Sequence, residues 1–389
     1  MEPFVSSAVQ PKVREHDFRP QDLRVLNLVT QLEGAGAQTI ALSLHRQFVL
    51  RGVTSKMLFL YEKDGRAFPQ RDYEILLPSK PYGFADIFKI LWKLKSAWRT
   101  FEPTHVIAHT HYAFIIAGIL GRMGLRGRVV AVHHNVFGSY PQSVAVLDCI
   151  LGFVAAYDEV VAVSQTTSKT LTHYPLTLQS RVVAIPNAQC MVTSKLSRNA
   201  ARTKFNIPSD AFVIGTVGRL TEQKNQTFLI DVLSRLPDAQ LVVLGEGNLR
   251  GEIQTHIDRL NLGSRVRLLG SVVHEEVPHF LRALDVFALP SLHEGSSVAM
   301  LEAMAAGLTV VGSDVPTIAN ELKFSDGRMV GVVLPLEPAA WLQSFQQLSQ
   351  NVNFRRKLGA KAKLHARSYS IESMAQKYLN LLCDASGSR

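Results

Sequence analysis

Residues 293–307 read HEGSSVAMLEAMAAG, and they place two carboxylates, Glu294 and Glu302, eight positions apart among small and apolar neighbours. An unpaired charge in such surroundings is costly, so the stretch is either a ligand site or a structural oddity. Ser296 or Ser297 suits the N-cap of a helix running to about Ala306. Glu294 then lies just outside the helix and Glu302 about six residues inside it, on the order of 10 Å apart along the axis. That spacing is too long for two carboxylates sharing one glycosidic oxygen. It suits two contacts at opposite ends of an extended ligand, with a diphosphate over the helix N-terminus between them. Ser296, Ser297, Val298 and Ala299 would supply the N–H donors. On the alternative reading Glu294 caps its own helix electrostatically and Glu302 meets solvent or an arginine.

Outward from this stretch, short β-rich apolar runs alternate with helical patterns along the whole chain. In the first half, strands are expected at Leu23–Val29, Ser55–Leu60, His105–His109, Val129–Val132, Glu159–Val163 and Val182–Ile185. In the second half they are expected at Phe212–Val217, Gln240–Leu244, Val266–Leu269, Asp285–Leu289 and Thr309–Gly312. Near-continuous apolar strands joined by helices imply parallel sheets covered on both faces. The pattern occurs twice, and 389 residues exceed the size of a single growing core. The expectation is therefore two doubly wound α/β domains, Rossmann-like, facing a central cleft. Their bounds are read as 21–190 and 209–365, joined by a linker at 191–208. A flexible segment, 1–20, precedes them, and a helical tail, 366–389, follows and crosses back to the first domain. Ser370 is read as a cap within the final helical stretch.

The net charge of +10 divides into +6 for residues 1–190 and +4 for the remainder, with no basic arm. Nucleic acid is therefore not an expected partner, whereas an anionic substrate or membrane surface is. Three scattered cysteines, Cys149, Cys190 and Cys383, form no disulfide framework or zinc spacing. With no secretory signal pattern at the N-terminus, the expected location is cytoplasmic. Phe84–Arg99, FADIFKILWKLKSAWR, carries apolar residues at 84, 87, 88, 91, 94 and 98 with lysines between, and Trp92 off the main stripe. Such a helix lies either on an anionic membrane, at the inner face of the plasma membrane, or against its own sheet with a solvated basic face.

Two further strand-to-helix corners offer anion sites. The first is LEGAGAQ, where Gly34 and Gly36 would let the backbone turn tightly and approach a phosphate. The second is VGRLTEQKN, where Gly218 ends a strand and Arg219 and Lys224 can neutralise a diphosphate. A solvated surface loop is the plain alternative for each.

EGSSVAMLEAMAAG, together with VGRLTEQKN, LVVLGEGNLR, LLGSV and LDVFALPSLHEG, resembles the second domain of the GT-B glycosyltransferases of family 4. AHTHYA, VVAVHHN and VVAIPNA are similar to landmarks of the first. GAGAQ, IPNAQ and AAGLTVV depart from the usual pattern, and none of them touches the two glutamates. The resemblance implies a retaining transfer from a nucleotide-diphosphate sugar, a UDP-sugar foremost, to a polysaccharide, lipopolysaccharide or lipid-linked acceptor. It implies no metal and no cofactor beyond the nucleotide-sugar co-substrate. Arg219 and Lys224 would hold the diphosphate, Glu302 the ribose, and Glu294 the transferred sugar. His134 would line the sugar site, with His133 pointing the other way and His109 and His111 as weaker candidates. The alternatives are glycosylation of a soluble small molecule, sugar-nucleotide epimerisation, or a sugar-nucleotide-binding protein without turnover.

Overall fold

The computed structural model describes residues 19–63, 72–189 and 193–384. Most of the expected N-terminal segment, Cys190 and the last five residues lie outside that description.

Two parallel sheets form the frame. The first contains β1 (Arg24–Leu32), β2 (Thr54–Glu62), β3 (Glu74–Leu77), β4 (His105–His109), β5 (Arg128–His133), β6 (Glu159–Ala162) and β7 (Val182–Ala184), in the order β3-β2-β1-β4-β5-β6-β7. The second contains β8 (Phe212–Val217), β9 (Ala239–Leu244), β10 (Val266–Gly270), β11 (Val286–Leu289), β12 (Thr309–Ser313) and β13 (Val332–Leu334), in the order β10-β9-β8-β11-β12-β13. Central strands such as Val106–Ala108 and Val129–Val132 are buried on both faces, which is why they read as unbroken apolar runs.

All eleven expected strands are present, with ends shifted by a few residues. Two were not expected, β3 and β13. Both are edge strands of four and three residues, and only Leu76 and Leu77 among their side chains are buried. Too short and too exposed, they leave no periodic signal in the sequence.

On one face of the first sheet lie α1 (Gly36–Leu50) and the last helix, Ile371–Asp384. Met374, Tyr378 and Leu382 of that helix pack with Ile40 and Phe48 of α1. Ser370 accepts a hydrogen bond from the N–H of Ser373 at its start. On the other face lie α2 (Phe84–Phe101), α3 (His111–Arg122) and α4 (Gln142–Phe153). The stripe expected on α2 is corrected by the structure. Only Ile90, Leu94 and Trp98 are buried, while Phe84, Phe88 and Trp92, spaced four apart, form an exposed row. Trp92 therefore belongs to the outward stripe.

Each sheet has a switch point where the strand order reverses, between β1 and β4 and between β8 and β11. In doubly wound sheets a crevice opens at the carboxyl ends of those strands. Here the two crevices face each other.

Candidate active site

The facing switch points enclose a cleft of about 810 Å³. All twelve residues named from sequence line it: Gly34, Gly36 and His134 from the first half, and Gly218, Arg219, Lys224, Glu294, Ser296, Ser297, Val298, Ala299 and Glu302 from the second.

On the second wall Glu294 is buried and held from several sides. Lys224 Nζ lies 2.6 Å from its Oε1, and the Ser291 hydroxyl donates to the same oxygen at 2.6 Å. Thr317 Oγ1 donates to the Glu294 carbonyl at 2.8 Å. A Lys–Glu pair in this setting is charge-assisted and geometrically fixed. Lys224 thus has a carboxylate partner within the second wall. Arg219 is exposed at the end of β8 and lines the same cleft. The close approach of β8 and β9 here depends on glycine. Gly245 takes φ +139°, and a Cβ on it would collide with the carbonyl of Gly218.

The helix Val298–Ala305 starts at Ser297, whose hydroxyl accepts from the N–H of Met300, so the cap is a serine and not Glu294. Glu302, inside it, meets neither solvent nor an arginine. Its Oε1 lacks a hydrogen-bond partner among the described residues and lies 3.5 Å from His274 Nε2. Burial raises the Glu302 carboxyl to about 8 and lowers His274, so both groups favour their uncharged forms and this contact is not an ion pair. A buried carboxyl with an unpaired oxygen at a cleft wall is set to hydrogen-bond a ligand hydroxyl.

The first wall carries a Lys63–Glu33 ion pair and is neutral around His134. His134 follows β5, and burial lowers it to about 3, so its ring is an uncharged hydrogen-bonding group. Its Nε2 lies 3.4 Å from Nδ1 of His109, and its Nδ1 is buried without a partner among the described residues. His133 is turned inward, 2.9 Å from the Tyr174 hydroxyl, as strand alternation requires. Of the two weaker candidates, His111 lines the cleft and His109 is buried beneath His134. The glycine loop also lies against the other wall. Neither Gly34 nor Gly36 takes a positive φ. Gly36 is small because a Cβ there would lie 3.2 Å from Val298 Cγ2 of the opposite wall. The walls touch again at Gly295, whose Cβ would run into the His134 carbonyl, and the Gly295 carbonyl accepts from Thr167 Oγ1 at 3.3 Å.

Comparison with known proteins places this geometry. A family model described as glycosyl transferases group 1 matches residues 197–365, and one described as Glycosyltransferase Family 4 matches residues 34–188. The chain belongs to this family of glycosyltransferases. It is 30% identical over 263 residues to the uncharacterized glycosyltransferase MJ1059 of Methanocaldococcus jannaschii, covering 61% of this chain and 64% of that one. It is 30% identical over 229 residues to the UDP-Gal:alpha-D-GlcNAc-diphosphoundecaprenol alpha-1,3-galactosyltransferase of Escherichia coli, covering 54% and 58%. The match thus spans less than two thirds of either relative. Among solved structures, HepE of Anabaena in complex with UDP-glucose superposes with a TM-score of 0.81 at 17% identity, covering 93% of this chain and all of that one. WaaG, a glycosyltransferase involved in lipopolysaccharide biosynthesis, gives 0.69 at 15% identity, over 92% and 99%. At such identities the likeness is one of fold, and that fold is GT-B: two Rossmann-like domains about a cleft.

Several residues of this glycosyltransferase's cleft were not named from sequence. Ser291 and Thr317 act on Glu294 from outside the quoted motif. Thr110 stands in a backbone conformation (φ 75°, ψ 148°) that glycine alone adopts freely, and its hydroxyl is 2.7 Å from that of Thr30. Tyr140 and His274 reach the cleft through folding alone. Only Gly245 and Gly247 had a readable signal, the GEG that follows β9. Among the described residues no group of three or more His, Cys, Asp or Glu is placed to hold a metal ion.

Proposed function

We propose that this chain is a retaining glycosyltransferase that moves a sugar from a UDP-sugar to a polysaccharide, lipopolysaccharide or lipid-linked acceptor. The observation that carries the reading is the convergence, in one cleft, of Arg219, the Lys224–Glu294 pair, Glu302 and the N-terminus of the helix Val298–Ala305. The diphosphate would lie over Ser296–Ala299, its charge met by backbone N–H groups and by the two cations, without need of a metal. Glu302 would take the ribose hydroxyls. Glu294, fixed by Lys224 and Ser291, would hold hydroxyls of the transferred sugar and support positive charge at its anomeric carbon. His134 would offer its unpaired Nδ1 to the same sugar. The bond from the anomeric carbon to the phosphate oxygen breaks, the acceptor oxygen bonds to that carbon on the same face, and the departing phosphate oxygen takes the acceptor's proton.

Support for the donor comes from HepE, solved with UDP and with UDP-glucose. Support for the acceptor class comes from relatives named for diphosphoundecaprenol-linked sugars and for the lipopolysaccharide core. A membrane-bound acceptor also fits the surface. Fourteen of the twenty-one large apolar side chains exposed among the described residues fall between Tyr82 and Leu176. They include Phe88 and Trp92 on α2 and Ile150 and Phe153 on α4, beside Lys89 and Lys93. Among the described residues no helix is long and apolar enough to cross a membrane. The enzyme would therefore work on the inner face of the plasma membrane, docked through this layer.

The test offers a panel of UDP-sugars with undecaprenyl-diphosphate-linked saccharides and lipopolysaccharide core, with and without EDTA. Transfer with the anomeric configuration kept, unaffected by EDTA, is expected. Inversion at the anomeric carbon would refute retention, and an altered free UDP-sugar with no transferred product would mark an epimerase.

A further inference from the structure

Glu321 is a buried acid for which the reaction above has no use. It ends the six-residue helix Pro316–Glu321 that follows β12 and is 5% exposed. Its Oε1 accepts from the Ser296 hydroxyl at 2.6 Å, and the N–H of Ser297 also reaches the carboxyl. Its Oε2 has no hydrogen-bond partner among the described residues. One helical turn earlier, Thr317 holds the carbonyl of Glu294. This short helix therefore grips the 294–297 turn at two points from behind. Between those points sits Gly295, pressed against His134, where the turn has no slack.

We propose that Glu321 is a positioning residue for donor binding: by clamping Ser296 and Ser297 it aims the backbone N–H groups of the 296–299 segment at the diphosphate. The inference rests on the donor site proposed above. A hydroxyl and an N–H both donate to Glu321, so an acceptor oxygen is what the turn requires of it. A second negative charge so near Glu294 and the diphosphate would oppose donor binding, and burial opposes that charge by raising the Glu321 carboxyl to about 8. Other charged and titratable groups face it from several elements. Glu294 and its partner Lys224 face it from the cleft. Behind it, burial lowers His365 and raises Tyr369. On the packed helix Gln165–Lys169 and next to β12, Lys169 and Asp314 are exposed. Clamping and uncharging are separate contributions, and two substitutions separate them.

The test measures UDP binding by calorimetry and the kinetics of UDP-sugar turnover for the wild type, Glu321→Gln and Glu321→Ala, from pH 6.5 to 9. Glu321→Ala should weaken UDP binding and raise the donor KM about tenfold, with kcat within about threefold of wild type, because one anchoring hydrogen bond to a charged site is lost. Glu321→Gln keeps an acceptor oxygen for Ser296 and should bind UDP like the wild type at pH 6.5. As the pH passes about 8 the wild type should lose donor affinity several-fold more than Glu321→Gln, since the change at Glu302 is common to both. Unchanged UDP affinity in Glu321→Ala, or equal weakening in both variants at pH 6.5, would overturn the proposal. No heat with UDP from the wild-type chain would instead sink the donor site itself. Thermal melting of each variant identifies one that has failed to fold, and Glu321→Gln, the isosteric change, then carries the comparison through its pH profile.

Discussion

The two walls of the cleft solve the problem of holding a charged ligand in opposite ways. The second-half wall is electrostatic: a cation is locked to Glu294 at 2.6 Å, an arginine is exposed at a strand end, and a helix N-terminus lines the same cleft. The first-half wall is neutral around its histidine: burial lowers His134 and raises Tyr140, and the charges of Lys63 and Glu33 in the same lining offset each other. Field strength on one side and neutral hydrogen bonding on the other match a reaction in which charge develops on the leaving diphosphate while a neutral hydroxyl attacks. The contrast also says where a substitution should alter binding through charge and where it should not.

The largest effect should come from the group at the junction. Glu294→Ala removes a buried carboxylate at the cleft that Lys224 and Ser291 both fix. Turnover should fall by about 10²–10³, the range for loss of one preorganised electrostatic contact. UDP affinity, measured by calorimetry, should stay within a few-fold because the sugar end alone is disturbed. A variant that keeps its activity would end the assignment of Glu294 to the transferred sugar.

Next come the walls themselves. Arg219→Ala should weaken UDP binding about 10-fold at low salt, and the loss should shrink as ionic strength rises, since an exposed charge is screened. His134→Asn should lower kcat by a similar factor with UDP affinity unchanged and no dependence on salt. If both variants lose UDP binding in parallel with salt, the walls do not differ as described.

Much of this arrangement was legible in the sequence, for unequal reasons. Central strands such as β5 and β8 are buried on both faces, so each had to be a run of apolar residues whatever its neighbours. The second wall gathers its chemistry within short stretches, 218–224 and 294–302, where spacing alone sets which groups lie together. The supports did not show. Ser291 and Thr317 differ from any other buried hydroxyl only by what they touch, and His274 meets Glu302 across 28 positions of chain. Gly36 was legible as a glycine, but its tight contact with Val298 was not, because that residue comes from the other half. Edge strands β3 and β13 were invisible because edge positions ask little of their side chains.

A moderate effect separates the walls by pH. Glu302 and Glu321 keep their protons to about pH 8 in the folded chain, against about 4.5 for a free carboxyl, so the native state binds more protons across that window. Their contribution is complete below 4.5 and is lost as pH rises toward 8. His133 and His134 run the other way. Lowered to about 4 and about 3 from 6.5, they favour the native state above 6.5 and lose that contribution as pH falls. Between 4.5 and 6.5 the two trends oppose, and above 6.5 only the acids remain. Stability in urea unfolding should therefore peak near pH 6 and decline toward pH 8, with a slope of up to about 1.4 kcal/mol per pH unit for each acid. Glu302→Gln should flatten the decline above pH 6.5, steepen the rise between 4.5 and 6.5, and leave the pH dependence below 4.5 unchanged. A variant that changes only the dependence below pH 4.5 would reverse the assignment of charge states to the walls.

The smallest effect concerns the first half's outer surface, far from its neutral inner wall. Trp98 and Trp341 are buried to about 1% or less, whereas Trp92 is 64% exposed, so a change in tryptophan emission on adding vesicles reports chiefly on α2. With vesicles of anionic phospholipid the emission should shift to the blue, and less so in high salt because Lys89 and Lys93 supply part of the attraction. Phe88→Glu should weaken vesicle binding several-fold, since it places a carboxylate among the residues that must enter the interface. Activity on a soluble acceptor should be unchanged in that variant, as Phe88 lies outside the cleft. If the wild type ignores anionic vesicles, the exposed row on α2 and α4 must serve some contact other than a lipid surface, and the acceptor must reach the cleft from solution.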